Sequence, residues 1–161
     1  MSDETAAEAD YDVRITTWQP LEHLHERHIF SFKVLPLKMD HDVSCLGFYI
    51  YSKATKESLF FATDTCVIQY KLPPMDYIMV EANYDIDILN KRIMDGYIDP
   101  AMKNRLTRSH MEIGNTIKWL EMQDLSKTKR IYLLHLSYGS ANAADFKRRV
   151  QEATGVPTTI A

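Results

Sequence analysis

The stretch Ser58-Leu59-Phe60-Phe61-Ala62-Thr63-Asp64-Thr65 decides the fold, because a run of β-type residues ends on a carboxylate between two threonines. Arg130-Ile131-Tyr132-Leu133-Leu134-His135-Leu136-Ser137 repeats the pattern with an imidazole at its end. Tyr77 to Val80 forms a third apolar run, closed by Glu81, Asn83 and Asp85. Short apolar runs ending on polar groups read as buried strands. In layered sheets the C-terminal ends of such strands are where site residues gather.

Outward from these three runs, the N-terminal half reads as β and the C-terminal half alternates. Val13 and Ile15 alternate with polar neighbours, the run from Ile29 to Leu37 is long and β-rich, and Cys45 to Tyr51 has the same character. With Ser58 to Ala62 these make four expected strands. After Tyr77 to Val80 the period lengthens. Ile86, Leu89, Ile93 and Met94 mark a helix stopped near Gly96, and a shorter helix begins after Pro100. Ser109 with Glu112 has the spacing of a capping box ahead of a helix whose stripe is Ile113, Ile117, Leu120 and Trp119. Ala143 to Ala153 predicts an amphipathic helix with Phe146 and Val150 inward, ended by Gly155, before a last strand from Pro157 to Ile160. The expected class is α/β, a layered mixed sheet with helices on one face.

At 161 residues and 45% hydrophobic content the chain suits one domain with one core. Residues 1 to 11, with four acids among alanines, read as a disordered leader, and residues 12 to 161 as the folded unit. Cys45 and Cys66 sit in apolar runs and read as reduced thiols, and no Cys-x-x-Cys pair exists for a structural zinc. A net charge of −3 provides no global attraction to nucleic acid. Two local basic clusters, Lys127, Lys129 and Arg130, and Lys147, Arg148 and Arg149, read first as solvated faces. The absence of a long apolar span or secretory signal in this sequence leads to the expectation of a cytosolic protein with no membrane role.

Three strand ends offer His41, Asp64 and His135, a set of two imidazoles and one carboxylate that suits zinc or a similar divalent ion. The 23 residues from His41 to Asp64 enclose an apolar strand pair. Together with Leu46-Gly47-Phe48-Tyr49-Ile50, the Asp64 turn and Leu134-His135-Leu136-Ser137, this spacing resembles the later metal motifs of the metallo-β-lactamase superfamily. Among its branches the chain is most similar to the RNase Z-like hydrolases and their phage-encoded relatives, over residues 29 to 161. The resemblance implies the C-terminal part of an αββα sandwich. It also implies His41, Asp64 and His135 as metal ligands, for zinc or manganese, and His110 oriented by Glu81 as proton donor to a leaving group.

The superfamily's principal motif, His-x-His-x-Asp-His, has no match. The nearest approach is His23-Leu24-His25-Glu26-Arg27-His28, in which Arg27 stands where the aspartate belongs, and a guanidinium repels a cation. That segment reads as a polar turn before the strand at Ile29. The resemblance therefore implies a truncated or split phosphodiesterase or nuclease whose separately encoded N-terminal half brings the missing ligands. The alternative is a non-catalytic homodimer that closes its own sheet face and occupies a host or defence factor. Nucleic acid or a nucleotide is the expected ligand class of the first.

Overall fold

Seven strands lie side by side in sequence order in one sheet: β1 (Arg27–Ile29), β2 (Phe32–Lys38), β3 (Leu46–Ser52), β4 (Ser58–Ala62), β5 (Tyr77–Glu81), β6 (Arg130–Leu134) and β7 (Thr158–Ile160). The computed structural model describes residues 21–161, so the acidic leader and the strand expected at Val13 and Ile15 lie outside the described residues. The first four strands are antiparallel neighbours, and β4 through β7 run parallel. The sheet is mixed and the class is α/β, as the pattern predicts.

Parallel neighbours need crossovers; residues 63–76 make the β4–β5 link without a helix, and helices supply the other two. Between β5 and β6 come α1 (Ile86–Met94), α2 (Pro100–Ser109) and α3 (Ile113–Glu121), and between β6 and β7 comes α4 (Ala143–Thr154). Both crossovers step in the same direction across the sheet, and right-handed connections then put their helices on the same face. The burial agrees: Phe60, Ile78, Val80, Ile131 and Leu133 are wholly buried and share a core with Trp119 and Leu120 of α3 and Phe146 and Val150 of α4. Each such aliphatic side chain contributes roughly 1.5–3 kcal/mol on burial.

The other face is different. Phe48, Phe61, Met79 and Tyr132 stand in register across four strands, and all four are only half-buried. The described residues cover this apolar row only in part.

Two expectations are corrected. The β-rich run from Ile29 to Leu37 is not one strand, since the chain reverses at Phe30-Ser31 and Ile29 pairs with Phe32. Phe30 takes a φ of 51° at this turn and is almost fully exposed, so its hydrophobicity reflects neither strand nor core. Ser109 does not cap the third helix. It ends α2, where its hydroxyl donates to the Arg105 carbonyl, and Glu112 caps α3 itself by accepting from the amides of Gly114 and Asn115. Residues between the two helices run extended instead, tied down by Asn83 N–H to Met111 O and Ile113 N–H to Tyr84 O. A serine-to-glutamate spacing cannot distinguish one helix start from a helix end followed by a new start.

Gly47 sets the spacing at one end of β3. A Cβ there would come within 2.9 Å of both the Phe61 carbonyl oxygen and Met39 Cε, so only glycine lets β3, β4 and the segment leading to His41 close up.

Candidate functional site

Glu81, the last residue of β5, is wholly buried at the C-terminal end of the parallel strands. One oxygen, Oε1, accepts from His110 Nδ1 at 2.7 Å and from His135 Nδ1 at 3.1 Å. The other, Oε2, accepts from the Thr65 amide at 2.9 Å. With both Nδ1 atoms committed to the carboxylate, both imidazoles present Nε2 outward. Burial pushes the Glu81 carboxyl up to about 7, against the opposing pull of the Thr65 amide and His135. Burial also holds His110 below the ordinary imidazole value, with Asp64 pulling it up and His41 pushing it down.

The flanking strand ends bring the rest. Asp64 follows β4 and lies 3.5 Å from His135 Nδ1. Asp64 and His135 have φ values of 55° and 57°, left-handed conformations that cost about 1–3 kcal/mol where they occur outside glycine. Aspartate and histidine tolerate that region better than most residues. Here the strain is held by bonds on either side: Thr65 N–H to Glu81, and Asn83 Nδ2 to the His135 carbonyl at 2.7 Å. The two strained residues follow the strands on either side of β5, so both flank Glu81.

His110 reaches this cluster from the extended link between α2 and α3, and His41 from the loop after β2. The ring centroids of His41 and His110 are 5.5 Å apart, and those of His110 and His135 are 5.0 Å apart. His41 has both nitrogens engaged, Nδ1 with the Ser109 carbonyl at 2.8 Å and Nε2 with Asp42 at 3.1 Å. All five residues singled out in the sequence therefore meet at one edge of the sheet. The tightest set of possible ligand atoms among the described residues belongs to Asp64, His110 and His135, within 4.8 Å of one another.

The His23 to His28 segment adds no atom to the Asp64, His110 and His135 set, and His23 lines a hollow beside His41. Residues 21 to 26 form a loop, His25 and His28 are exposed, and His28 pairs with Glu26. Four of the six residues of the basic clusters are in ion pairs, Lys127 and Lys129 with Asp76, Arg148 with Asp145 and Glu152, and Arg149 with Asp85, while Arg130 bonds Thr159 and Lys147 is exposed. Three supporting residues were missed by sequence reasoning. Thr65 accepts from the Asp40 amide, Thr116 of α3 donates to the Glu81 carbonyl, and Asn83 clamps His135. A buried threonine after a strand-end aspartate is the one signal that could have found the first.

The fold matches solved structures of metallo-β-lactamase proteins. One is the metallo-beta-lactamase fold protein YhfI from Bacillus subtilis, with a TM-score of 0.71 and 15% identity, covering 99% of this chain and 58% of that one. Another is Igni18, a metallo hydrolase from the archaeon Ignicoccus hospitalis, with a TM-score of 0.62 and 9% identity over 89% of this chain and 57% of that one. Unliganded yeast PDE1 matches with a TM-score of 0.62 and 15% identity, over 89% of this chain and 48% of that one. This chain spans about half the length of the structures it matches, and it carries part of the metallo-β-lactamase fold. No protein-family model matches the sequence, and no curated protein is similar to it. Among the described residues no helix is long and apolar enough to cross a membrane.

Proposed function

We propose that this chain is the C-terminal half of a metal-dependent phosphodiesterase or nuclease, active when a partner supplies the histidine-rich motif it lacks. The observation that carries this reading is the buried Glu81 oxygen shared by His110 and His135 beside Asp64. A carboxylate kept for stability has no need of two imidazoles and a second acid held in strained backbone.

The donor set fits a divalent ion. Imidazole nitrogen and carboxylate oxygen are the ligands of zinc and manganese sites, and a buried carboxylate behind a ligating histidine is the usual support for one. By the resemblance His41 would hold one ion, His135 a second and Asp64 both, although the ligand atoms that converge within 4.8 Å are those of Asp64, His110 and His135; His41 would use the Nε2 that the exposed Asp42 engages. The metal's chemistry when bound is Lewis-acid polarisation of a phosphoryl oxygen. Glu81 holds His110 by its Nδ1, which would leave Nε2 for the departing oxygen, and the imidazolium form, protonated on both nitrogens, would deliver the Nε2 proton and keep its Nδ1–H on Glu81. Helix α2 carries Lys103, Arg105 and Arg108 and no acid, and the Arg105 charge acts on His110, which suits an anionic substrate there. The RNase Z-like branch, with its phage-encoded members, is the one this Glu–His pair resembles, and the free, half-buried thiols of Cys45 and Cys66 accord with a cytosolic setting.

A second reading is favoured by one observation, the half-exposed row Phe48, Phe61, Met79 and Tyr132. In it the chain pairs with its own copy across that face and acts by binding a host or defence factor.

Native mass spectrometry after incubation with zinc and with manganese tests both. The first reading expects a metal-loaded species that Asp64→Ala and His135→Ala lose and His110→Ala keeps. Loss of metal in His110→Ala reassigns that residue from proton donor to ligand. A metal-free homodimer in every condition replaces the hydrolase reading with the second.

A further inference from the structure

Beside His41 lies a hollow of about 300 Å³ that no role above uses. Tyr70, His23, Gln69, Lys38, Asp40 and His41 line it, with apolar surface from its two remaining neighbours, Met39 and Val67. We propose that this hollow binds the base of a nucleoside whose phosphate lies at the His110–His135 cluster. The inference rests on the phosphodiester reading of that cluster and narrows it to nucleotide substrates.

The walls are preorganised. Tyr70 donates its hydroxyl to the Lys38 carbonyl at 2.9 Å, and its backbone carbonyl accepts from Trp119 Nε1 at 3.0 Å, so the ring stands on the buried core. His23 is fixed from the other side, its Nδ1 accepting from the Lys38 amide at 3.0 Å. That bond leaves the proton on Nε2, a donor with no partner among the described residues. The two ring centroids are 6.0 Å apart with planes at 51°, so they form two sides of a corner rather than a closed stack. A flat heterocycle can lie on one ring and meet the edge of the other.

The polar groups around that corner are of mixed kind. Gln69 offers an amide with both donor and acceptor, Asp40 a carboxylate, and Lys38 a cation at the rim. A nucleobase edge carries donors and acceptors side by side, which this mixture can pair. A purely apolar ring or an aliphatic chain would leave these groups unpaired, at a cost. The volume lies at the lower end of ligand pockets, roughly 300–1,000 Å³, which suits one ring system with its sugar and excludes a folded duplex.

Position connects the hollow to the chemistry. His41 forms its inner wall and is the neighbour of His110, so a sugar leaving the hollow past His41 brings its phosphate to the imidazole row. The base site and the phosphate site are thus adjacent, with one histidine between them.

The test is amide NMR of the full chain titrated with the four ribonucleosides, inorganic phosphate, and the 3′- and 5′-monophosphates. Nucleosides should shift Val67 to Tyr70 and His23, phosphate should shift the amides around Glu81, His110 and His135, and a monophosphate should shift both sets and bind at least tenfold tighter than its nucleoside. Tyr70→Ala should weaken nucleoside binding about tenfold, in the range of a lost base–aromatic stack. Because Tyr70 also supports the core, the exposed Gln69→Ala is the second variant, expected to change preference among the four bases without altering the spectrum elsewhere. Phosphate shifts at the cluster with no nucleoside response overturn the base site and leave the hydrolase reading intact. Nucleoside shifts in the hollow with no phosphate response overturn the phosphodiester reading while the base site stands. Silence from all probes overturns both.

Discussion

Two buried carboxylates stand at opposite ends of the parallel strands, and their environments could hardly differ more. Asp76, just before β5, is 3% exposed and takes Lys127 at 2.7 Å, Lys129 at 3.1 Å, and the Ser58 amide at 2.8 Å. Its burial raises the pKa, yet the lysine and amide bonds win and hold it well below the usual carboxylate range. Glu81, at the other end, is 0% exposed and among the described residues has no lysine or arginine partner. Burial wins there, and its carboxyl is pushed up to about 7. Equal burial with opposite titration separates a group that ties strands together from one that tunes its neighbours.

Asp76→Asn should produce the largest change in stability. Removing one partner of a buried ion pair leaves the others uncompensated, and because both lysines are about half-exposed the cost falls at the low end, about 3 kcal/mol in urea unfolding at pH 7. Metal binding should be unchanged. The native carboxyl of Asp76 ionises below its unfolded value of 3.8, so its stabilisation is complete above that pH and is lost as pH falls beneath it. A variant that loses metal affinity along with stability would break the division between the two ends.

Glu81→Gln should act in the opposite sense. Metal affinity should fall about 10–100-fold, the usual effect of removing a carboxylate behind a ligating histidine, read by competition with a chromophoric chelator. For stability, native Glu81 keeps its proton up to about 7 while the unfolded chain loses it near 4.5, so the wild-type protein loses stability as pH rises between those values. The glutamine variant should lack that slope when urea midpoints at pH 5 and pH 8 are compared. A slope that persists would assign the pH dependence to another group.

Gly47→Ala tests how tightly the site end is packed. The added methyl meets a backbone oxygen at 2.9 Å, which cannot swing away, and overpacking of this kind costs about 1–2 kcal/mol. Thermal unfolding should show the loss, and the His41 resonances should move with it. Smallest of all is Arg148→Ala on α4. Its pairs with Asp145 and Glu152 lie on an exposed helix face, so the shift in thermal midpoint should be barely measurable and vanish in high salt.

Much of this was legible in the chain of residues. The apolar runs Ser58–Ala62, Tyr77–Glu81 and Arg130–Leu134 are strands where their pattern put them, and Asp64, Glu81 and His135 stand at their ends. Strand character is a local property of alternation and β-branching, and a strand's last residue follows from its direction. The helix with Phe146 and Val150 inward ends at Gly155, whose φ of 69° is the left-handed cap that glycine favours. Local rules failed where two local readings were compatible. The Ile29–Leu37 run concealed a turn, and Ser109-x-x-Glu112 concealed the junction of two helices.

The sequence by itself determined the elements and which of their ends carry imidazole or carboxylate, because periodicity and polarity act over a few residues. Only the tertiary structure decided that Glu81 meets His110 across 29 residues and His135 across 54, that Asp76 is matched by lysines where Glu81 is not, and that one sheet face stays half-exposed. Those outcomes depend on sheet register and on the length of each crossover, and no single stretch of the chain contains either.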